Sequence, residues 1–286
     1  MLILALGTGC SQPATTGPGA TAQSSTYIQN KGSDTMVNLA LAWAERYQQD
    51  KPQISLSVTG GGSGTGITSL LNGTVDIANA SRAISPAEIQ TAKTNGFVPV
   101  EFTVARDAIA VIVNPNNPVQ HLSLPQISRI YRGDINNWQV LGGENRPIVR
   151  LSRETNSGTH VYFLETVIRL GSSTDKTIFS ADTLLLPSSE GIIAELRDNP
   201  NAIGYDGLGY VTPDVKVIAV SKLDGGPYIM PSAATVNDKT YPIARDLYMY
   251  THGQPSGAIK DYLDWIVSPE AQKIVTDLGF VPIVKK

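Results

Sequence analysis

Cysteine and histidine are scarce in this chain of 286 residues. It has one cysteine, Cys10, and three histidines at positions 121, 160 and 252, which are too far apart to form an HExxH-like motif. A single cysteine can form neither a disulfide framework nor a cysteine-type metal site. Metal catalysis therefore has little support, and we expect no cofactor.

An excess of positive charge and long apolar runs are also missing. The 22 basic and 25 acidic residues give a net charge of -3, which argues against a nucleic-acid-binding protein. A small anion remains an allowed ligand, because local dipoles can oppose the overall charge. Beyond the N-terminal segment, no stretch is apolar enough to span a bilayer.

The N-terminus reads MLILALGTGC and is followed by small, polar and Pro/Gly-containing residues. We interpret residues 1–10 as the end of a secretory signal that closes on a lipidated Cys10. Residues 11–25 are then a flexible tether. Two features depart from a lipoprotein signal, since no basic residue precedes the run and Gly7 stands where leucine is usual. The alternative is an N-terminal tail with an incidental cysteine.

The body of the chain alternates between strand-like and helix-like patterns, which predicts an α/β architecture. ISLSV, VDIANAS and PIVRLSRE are predicted strands, and MVNLALAWAERYQQ, LPQISRIYRG and SGTHVYFLETVIRLG are predicted helices. ITSLLNG, which starts at Ile67, is predicted as a short helix. SPAEIQTAKTNG carries a full helix-start signal at Ser85, and two consecutive helices are predicted near the C-terminus, the second beginning at Ser268.

Three loops share one design. GSDT (32–35), GGSGTG (61–66) and NSGT (156–159) each follow a predicted strand and open a helix. The first turn of a helix has unpaired N–H groups and partial positive charge. Glycine lets an anion approach this backbone, and hydroxyls add neutral donors, so the loops predict an oxyanion site. Serine and threonine are also ordinary helix caps, which is the alternative for any single loop.

The sequence of the glycine-rich loop argues against nucleotide binding. A P-loop needs lysine after its last glycine, and Gly66 is followed by Ile67. The GxGxxG dinucleotide fingerprint is absent from residues 60–66 as well.

Two arginines and one aspartate are candidate partners of the anion. Arg153 ends a predicted strand four residues before Ser157, and Arg82 follows another strand. A guanidinium can fork onto a tetrahedral oxyanion. For Arg82, an ion pair with a carboxylate remains an equal alternative. Asp34 can only accept hydrogen bonds when ionised, so it suits an anion that carries a proton; it also suits a helix N-terminus.

As an ordered set, seven motifs resemble the phosphate-binding proteins of bacterial ABC phosphate importers. They are GSDTM, GGGSGTGI, DIANASR, DAIAVIVNPNNP, DINNW, RETNSGT and SPEAQKIVTDLGFVPI. The resemblance implies a two-lobed type II periplasmic-binding-protein fold with a two-stranded hinge and a ligand cleft. Lobe I would comprise residues 26–112 and 245–286, and lobe II residues 113–244.

The resemblance also implies which residues hold the anion. Phosphate would be ringed by Ser33, Thr35, Ser63, Arg153, Ser157, Gly158 and Thr159. The first three belong to one lobe and the last four to the other, so ligand would favour closure. Asp34, Gly64 and Arg82 complete the candidate set. Some family members have an aspartate where this chain has Arg82, and we expect Asp34 to take over its role as acceptor of the phosphate proton.

The resulting expectation is an extracytoplasmic, monomeric receptor that is no enzyme. It captures phosphate, delivers it to an ABC permease, and touches the membrane only through a lipid anchor. One alternative is a receptor for sulfate or molybdate. Another is a serine-type phosphatase or hydrolase that uses Ser63 or Ser157, although GGSGTG is not GxSxG and no base is evident. The third is a signalling or adhesive lipoprotein that has lost the ligand.

Overall fold

The computed structural model of the protein describes residues 26–283, so Cys10 and the expected tether lie outside the described residues. Within that range the chain forms ten strands and nine α-helices in alternation. The expected α/β class is confirmed. No helix of the described part combines the length and hydrophobicity needed to cross a bilayer.

The ten strands of the described residues belong to one hydrogen-bonded sheet. In chain order they are β1 (Thr26–Gly32), β2 (Ile54–Thr59), β3 (Ile77–Ala80), β4 (Val100–Val113), β5 (His121–Ser123), β6 (Val149–Arg153), β7 (Leu184–Leu186), β8 (Ala202–Gly207), β9 (Lys216–Ser221) and β10 (Ala244–Thr251). Their order in space is β2-β1-β3-β10-β4-β8-β6-β7, and β9 pairs with β4 and β5.

The helices cover the faces of this sheet. They are α1 (Val37–Asp50), α2 (Ser63–Leu71), α3 (Pro86–Thr94), α4 (Leu124–Tyr131), α5 (Gly158–Phe163), α6 (Ser189–Asp198), α7 (Ala233–Asn237), α8 (Gly257–Ile266) and α9 (Pro269–Asp277). The sequence pattern identified neither α6 nor β10, and both elements contribute to the site described below.

The long strand β4 changes neighbours halfway along its length. Residues 100–108 pair with β10, whereas residues 109–113 pair with β8, and the last three of them also with β9. We therefore propose that two lobes meet between Ala108 and Ile109, four residues before the boundary expected from the sequence. Lobe I is then residues 26–108 and 244–283, and lobe II is residues 109–243.

The two largest hydrophobic clusters follow the proposed division for the most part, although Ala108 and Val281 pack with lobe II side chains and Tyr210 packs with lobe I side chains. One large cluster includes Ile28, Trp43 and Met249, and another packs Tyr131 and Phe163 with further side chains of lobe II. Burial of this much apolar surface is the main favourable contribution to folding.

Local start signals explain several helix boundaries. Ser85 and Glu88 form the expected capping box of α3, and Ser268 caps α9. Helix α2 begins at Ser63 rather than at Ile67, so half of the glycine-rich loop is its first turn. Gly66 is required there because a Cβ would lie 2.5 Å from the carbonyl oxygen of Lys31 on β1. This glycine lets α2 pack directly on the strand.

Candidate functional site: a buried hydroxyl cluster between the lobes

The three loops singled out in the sequence meet at the carboxyl ends of parallel strands. The first two loops follow β1 and β2, which are parallel neighbours. The third follows β6, which is parallel to β7 and β8 in the other half of the sheet. Ligands of open α/β sheets bind at such strand ends. The fold thus brings together segments that are about 120 residues apart in the chain.

Six buried hydroxyl residues form what we call the hydroxyl cluster: Ser33, Thr35, Ser63, Ser81, Ser157 and Thr159. Ser33 Oγ donates to Ser81 Oγ at 2.9 Å, and the backbone N–H of Ser81 donates to Ser63 Oγ at 3.0 Å. The two threonine Oγ1 atoms lie 2.8 Å apart and join the lobes. The cluster offers many neutral donors with no loss of side-chain freedom on binding, because burial already fixes them.

The capping alternative applies to only one of these serines. Ser157 Oγ accepts from the N–H of Thr159 at 3.2 Å, as an N-cap does. Ser33 makes no side-chain cap at the helical turn that follows it. Ser63 Oγ is directed to Ser81 rather than to its own helix. Two of the three loops therefore place hydroxyls in the cluster for a reason other than capping.

Glycines allow the loops of the two lobes to touch. Gly62 has φ +88°, and a Cβ there would lie 2.7 Å from the backbone oxygen of Asn156. A Cβ at Gly158 would lie 2.3 Å from Ser63 Oγ. Gly64 N–H donates to the Asn156 oxygen at 3.0 Å, and Asn156 Nδ2 donates to the Gly61 oxygen at 2.9 Å. The glycine-rich loop needs bare backbone because the other lobe packs against it.

Arg153 and Asp34 are in direct contact beside this cluster. Arg153 is 1% exposed, and its Nη2 donates to Asp34 Oδ2 at 2.8 Å. The other carboxylate oxygen of Asp34 accepts from the Gly61 N–H at 2.8 Å. This pair crosses between the proposed lobes and places a guanidinium charge next to Asp34, a carboxylate of the first loop.

Two residues outside the motifs, Ser189 and Asp206, contact the guanidinium of Arg153. Its Nη1 donates to Ser189 Oγ at 2.9 Å and lies 3.8 Å from Asp206 Oδ2. Asp206 is fully buried on β8, and this burial raises its pKa even though Arg153 opposes the rise. Buried charges of this kind require partners. The guanidinium is thus fixed in position by groups from three separate elements.

Arg82 is placed differently. Its Nη2 and Nη1 atoms donate to the two carboxylate oxygens of Glu88 at 2.7 and 2.8 Å. Burial opposes ionisation of Glu88, but hydrogen bonds from Arg82 and Ser85 outweigh it and lower the pKa of that carboxyl. Arg82 remains near the glycine-rich loop, since a Cβ at Gly64 would be 3.9 Å from its Nη2. The structure does not direct its guanidinium into the hydroxyl cluster.

His160, next to Thr159, has partners other than Ser63 and Ser157: its Nδ1 lies 3.1 Å from Ser152 Oγ. His160 Nδ1 lies 2.9 Å from the carbonyl oxygen of Arg153, its ring stacks on Phe179, and burial lowers its pKa. In residues 26–283, the hydroxyls of Ser63 and Ser157 have serine or backbone partners rather than a basic side chain. This arrangement lacks the oriented base that a nucleophilic serine needs.

Sequence reasoning missed several residues that the fold adds to the site. They are Ser81, Asn156, Ser189, Asp206 and Arg245. Ser81 and Asn156 stand inside quoted motifs and were detectable there. Ser189, Asp206 and Arg245 lie on elements whose local patterns show no link to the loops, so only tertiary structure brings them to the site.

Comparisons with known proteins agree on one family. Residues 18–270 match the model of the PBP superfamily domain. The phosphate-binding protein PstS of Bacillus subtilis (strain 168) is 34% identical over 253 residues, which cover 88% of this chain and 79% of that protein. PstS of Pseudomonas aeruginosa (strain PAO1) is 29% identical over 276 residues, 91% of this chain and 84% of the relative.

A solved structure extends the comparison to the fold. The crystal structure of a putative phosphate ABC transporter substrate-binding protein from Clostridium perfringens, with bound phosphate, has a TM-score of 0.81 and 30% identity. It covers 91% of this chain, and the whole of that chain is matched. This chain therefore belongs to the PBP superfamily and, within it, to the phosphate-binding proteins of bacterial ABC phosphate importers.

Proposed function

We propose that the chain captures inorganic phosphate in the hydroxyl cluster and delivers it to an ABC permease. The observation that carries the proposal is the meeting of six buried hydroxyls with Arg153 and Asp34 at the ends of parallel strands. Family membership supports the same ligand, because the similar protein from Clostridium perfringens contains phosphate.

The ligand ring combines donors from both lobes. Its proposed members are Ser33, Thr35, Ser63, Gly64, Arg153, Ser157, Gly158 and Thr159, with Ser81 added from the structure. Arg153 supplies formal charge, and the hydroxyls and backbone N–H groups supply neutral hydrogen bonds. Such pre-positioned donors bind an oxyanion without the cost of reorganisation on binding.

Asp34 is the proposed source of selectivity for phosphate. An ionised carboxylate has about four lone-pair sites, and the contacts with Arg153 and Gly61 use two of them. A third can accept the proton that phosphate carries near neutral pH. Sulfate is fully ionised and has no proton to donate, so its oxygens would be repelled by Asp34.

Closure of the two lobes on the anion is part of the proposal. Three contacts across the proposed boundary surround the cluster, made by Asn156, by the Thr35–Thr159 pair, and by Tyr210, whose hydroxyl donates to the Asp34 carbonyl at 2.7 Å. A ligand held by donors from both lobes binds this arrangement better than a separated one. It therefore shifts the population towards closure.

The location follows from the family and the N-terminus. Proteins of this type work outside the cytoplasm, where an importer collects its substrate. We propose that Cys10 carries a lipid and that the protein acts as a monomer next to its permease. Mass spectrometry of the protein from membranes would detect the lipid, and Cys10→Ser should release the chain from the membrane fraction.

Binding without turnover is the version of the function that the contacts support, because neither Ser63 nor Ser157 contacts a base in the described residues. A phosphatase assay checks this point. Phosphate release that disappears in Ser63→Ala or Ser157→Ala would establish the hydrolase alternative instead.

Calorimetry on the purified chain, stripped of bound ligand, tests the main proposal. We expect phosphate binding that persists in excess sulfate. Asp34→Asn should raise the ratio of sulfate to phosphate affinity by about 10- to 100-fold, the value of one charged hydrogen bond. Asp264→Asn, at an exposed carboxylate bound to Lys260, is the matched control and should change neither affinity.

The other outcomes distinguish the alternatives. Heat with sulfate or molybdate but not with phosphate would assign a different oxyanion to the same site. Absence of binding by any of these anions would favour the ligand-free lipoprotein. Unchanged selectivity in Asp34→Asn would remove Asp34 from the recognition of phosphate.

A further inference from the structure

Arg245 is a buried cation at the hydroxyl cluster that none of the loop motifs includes. It lies on β10, its side chain is 2% exposed, and its Nη2 donates to Thr159 Oγ1 at 2.9 Å. The same nitrogen is 3.4 Å from Thr35 Oγ1. One guanidinium on the strand next to the proposed lobe boundary thus contacts the threonine of each lobe.

The sheet itself fixes the direction of this side chain. Arg245 is the cross-strand partner of Asp107 on β4. Asp107 Oδ2 accepts from Nη2 at 3.0 Å and from Nε at 3.3 Å, and the Leu208 N–H donates to Oδ1 at 3.2 Å. Since Asp107 is fully buried, its charge is balanced by Arg245 and not by solvent. The contacts with Asp107 hold the Arg245 side chain at the hydroxyl cluster.

Hydrogen-bond polarity follows from this geometry. A guanidinium can only donate, and a hydroxyl has one proton and two lone pairs. When Arg245 donates to Thr159 Oγ1, one lone pair of that oxygen is used and its proton must point elsewhere. The threonine oxygens are 2.8 Å apart, so only one of the two protons can lie between them. The other is available as a donor to an anion.

A second nitrogen of Arg245 adds to the positive potential. Its Nη1 is buried and has no hydrogen-bond partner among residues 26–283. A buried donor without a protein partner carries a desolvation penalty that a nearby negative charge reduces. Two arginines therefore adjoin the hydroxyl cluster: Arg245 contacts its threonines, and Arg153 contacts Asp34 beside it.

We propose that Arg245 is a positioning residue for the anion, which acts through Thr159 and Thr35 by holding their hydroxyls as donors and by joining both lobes to β10. This inference rests on the proposed function. It differs from a purely structural reading, in which the Arg245–Asp107 pair only stabilises the fold.

A double-mutant cycle separates these two readings. Phosphate affinity is measured by calorimetry for the wild-type chain, Arg245→Met, Thr159→Val and the double variant. We expect each single change to weaken binding by about 10- to 100-fold, as loss of a charged hydrogen bond does. The double variant should be little weaker than the worse single one, because both changes remove the same donor.

Controls keep the cycle interpretable. Arg106→Met removes a positive charge from the adjacent strand, where Arg106 pairs with Asp246 in a half-exposed position; its phosphate affinity should stay at the wild-type value. Arg245→Lys retains a donor and should recover part of the affinity. If Arg245→Met does not fold, Arg245→Met with Asp107→Leu removes the whole buried pair, a change that proteins often tolerate.

The results are unambiguous. Wild-type affinity in a folded Arg245→Met variant, or in the Arg245/Asp107 double variant, would overturn the inference. Fully additive losses in Arg245→Met and Thr159→Val would do so too, since Arg245 would then act independently of the threonine. A wild-type chain that binds no phosphate would instead contradict the proposed function.

Discussion

Arg82 and Arg153 both lie near the glycine-rich loop, and they have the same chemistry and different surroundings. Arg82 forms a two-pronged pair with Glu88, and their side chains are 14% and 20% exposed. Arg153 lies between Asp34 and Asp206, and Asp206 is fully buried. The pKa of Glu88 is lowered by its arginine, whereas burial raises the pKa of Asp206 despite its arginine.

The Arg82–Glu88 pair stabilises local structure. The charges around Arg153 are buried at a cost in desolvation. Arg82 and Glu88 are six residues apart and close the start of α3. Arg153 and Asp34 are 119 residues apart and lie on the two proposed lobes. A buried ion pair contributes little net stability compared with apolar side chains of similar volume. We therefore infer that function is the reason for the charges around Arg153. The following predictions test this contrast.

The largest effect is expected for Arg153→Met. Removing the guanidinium leaves Asp34 and Asp206 without their cation beside the anion, and truncating one partner of a buried charged contact costs about 2–5 kcal/mol of binding free energy. Phosphate affinity measured by calorimetry should fall about 10³-fold. Arg153→Lys retains the charge but not the bidentate guanidinium, and its phosphate affinity should lie between those of Arg153→Met and the wild-type chain. Affinity within a few-fold of wild type in a folded Arg153→Met variant would contradict the assignment.

A smaller effect is expected from Asp107, the carboxylate that anchors Arg245. Burial raises the pKa of Asp107 from 3.8 to about 6, against the pull of Arg245. A raised pKa means that the folded state binds the proton more tightly than the unfolded state. The stabilisation is therefore complete below about pH 4 and is lost as the pH rises through about 6.

Urea unfolding at several pH values measures this loss. At about 1.4 kcal/mol per pH unit, the stability of the wild-type chain relative to Asp107→Asn should fall by about 2.4 kcal/mol between pH 4 and pH 7. The asparagine variant has no proton to lose at this position and serves as the reference. A difference between the two proteins that does not change with pH would show that Asp107 is ionised throughout.

The same contrast shows where sequence reasoning succeeded. Arg153 and Ser157 share one motif, and a strand followed by a helix gives their relative position from local rules. The α/β class and the caps at Ser85 and Ser268 are local as well, and they are confirmed. The placement of Asp34 next to Arg153 depends on two loops of one design meeting at the ends of parallel strands.

What could not be predicted depends on long-range contacts. Ser189 begins α6, whose sequence shows no link to the three loops, and Arg245 lies on a strand where its partner Asp107 is 138 residues away. The sequence around Ser189 does not identify Arg153 as its contact. The sequence around Arg245 does not identify Thr159 as its contact. The sequence also does not determine whether Arg82 binds the anion or a carboxylate. Glu88 contacts Arg82 only when the first turn of α3 has formed.

The smallest effect is expected for Arg82→Met. Its guanidinium is occupied by Glu88, so phosphate affinity should stay within about threefold of wild type, the range of a partly exposed ion pair. Glu88→Gln is the matched change on the other partner and should behave alike in affinity, with a slightly lower melting temperature because the ion pair with Arg82 is lost. A loss of tenfold or more in Arg82→Met, together with a gain in Glu88→Gln, would mean that Glu88 withholds Arg82 from the anion, and Arg82 would then join Arg153 as a ligand.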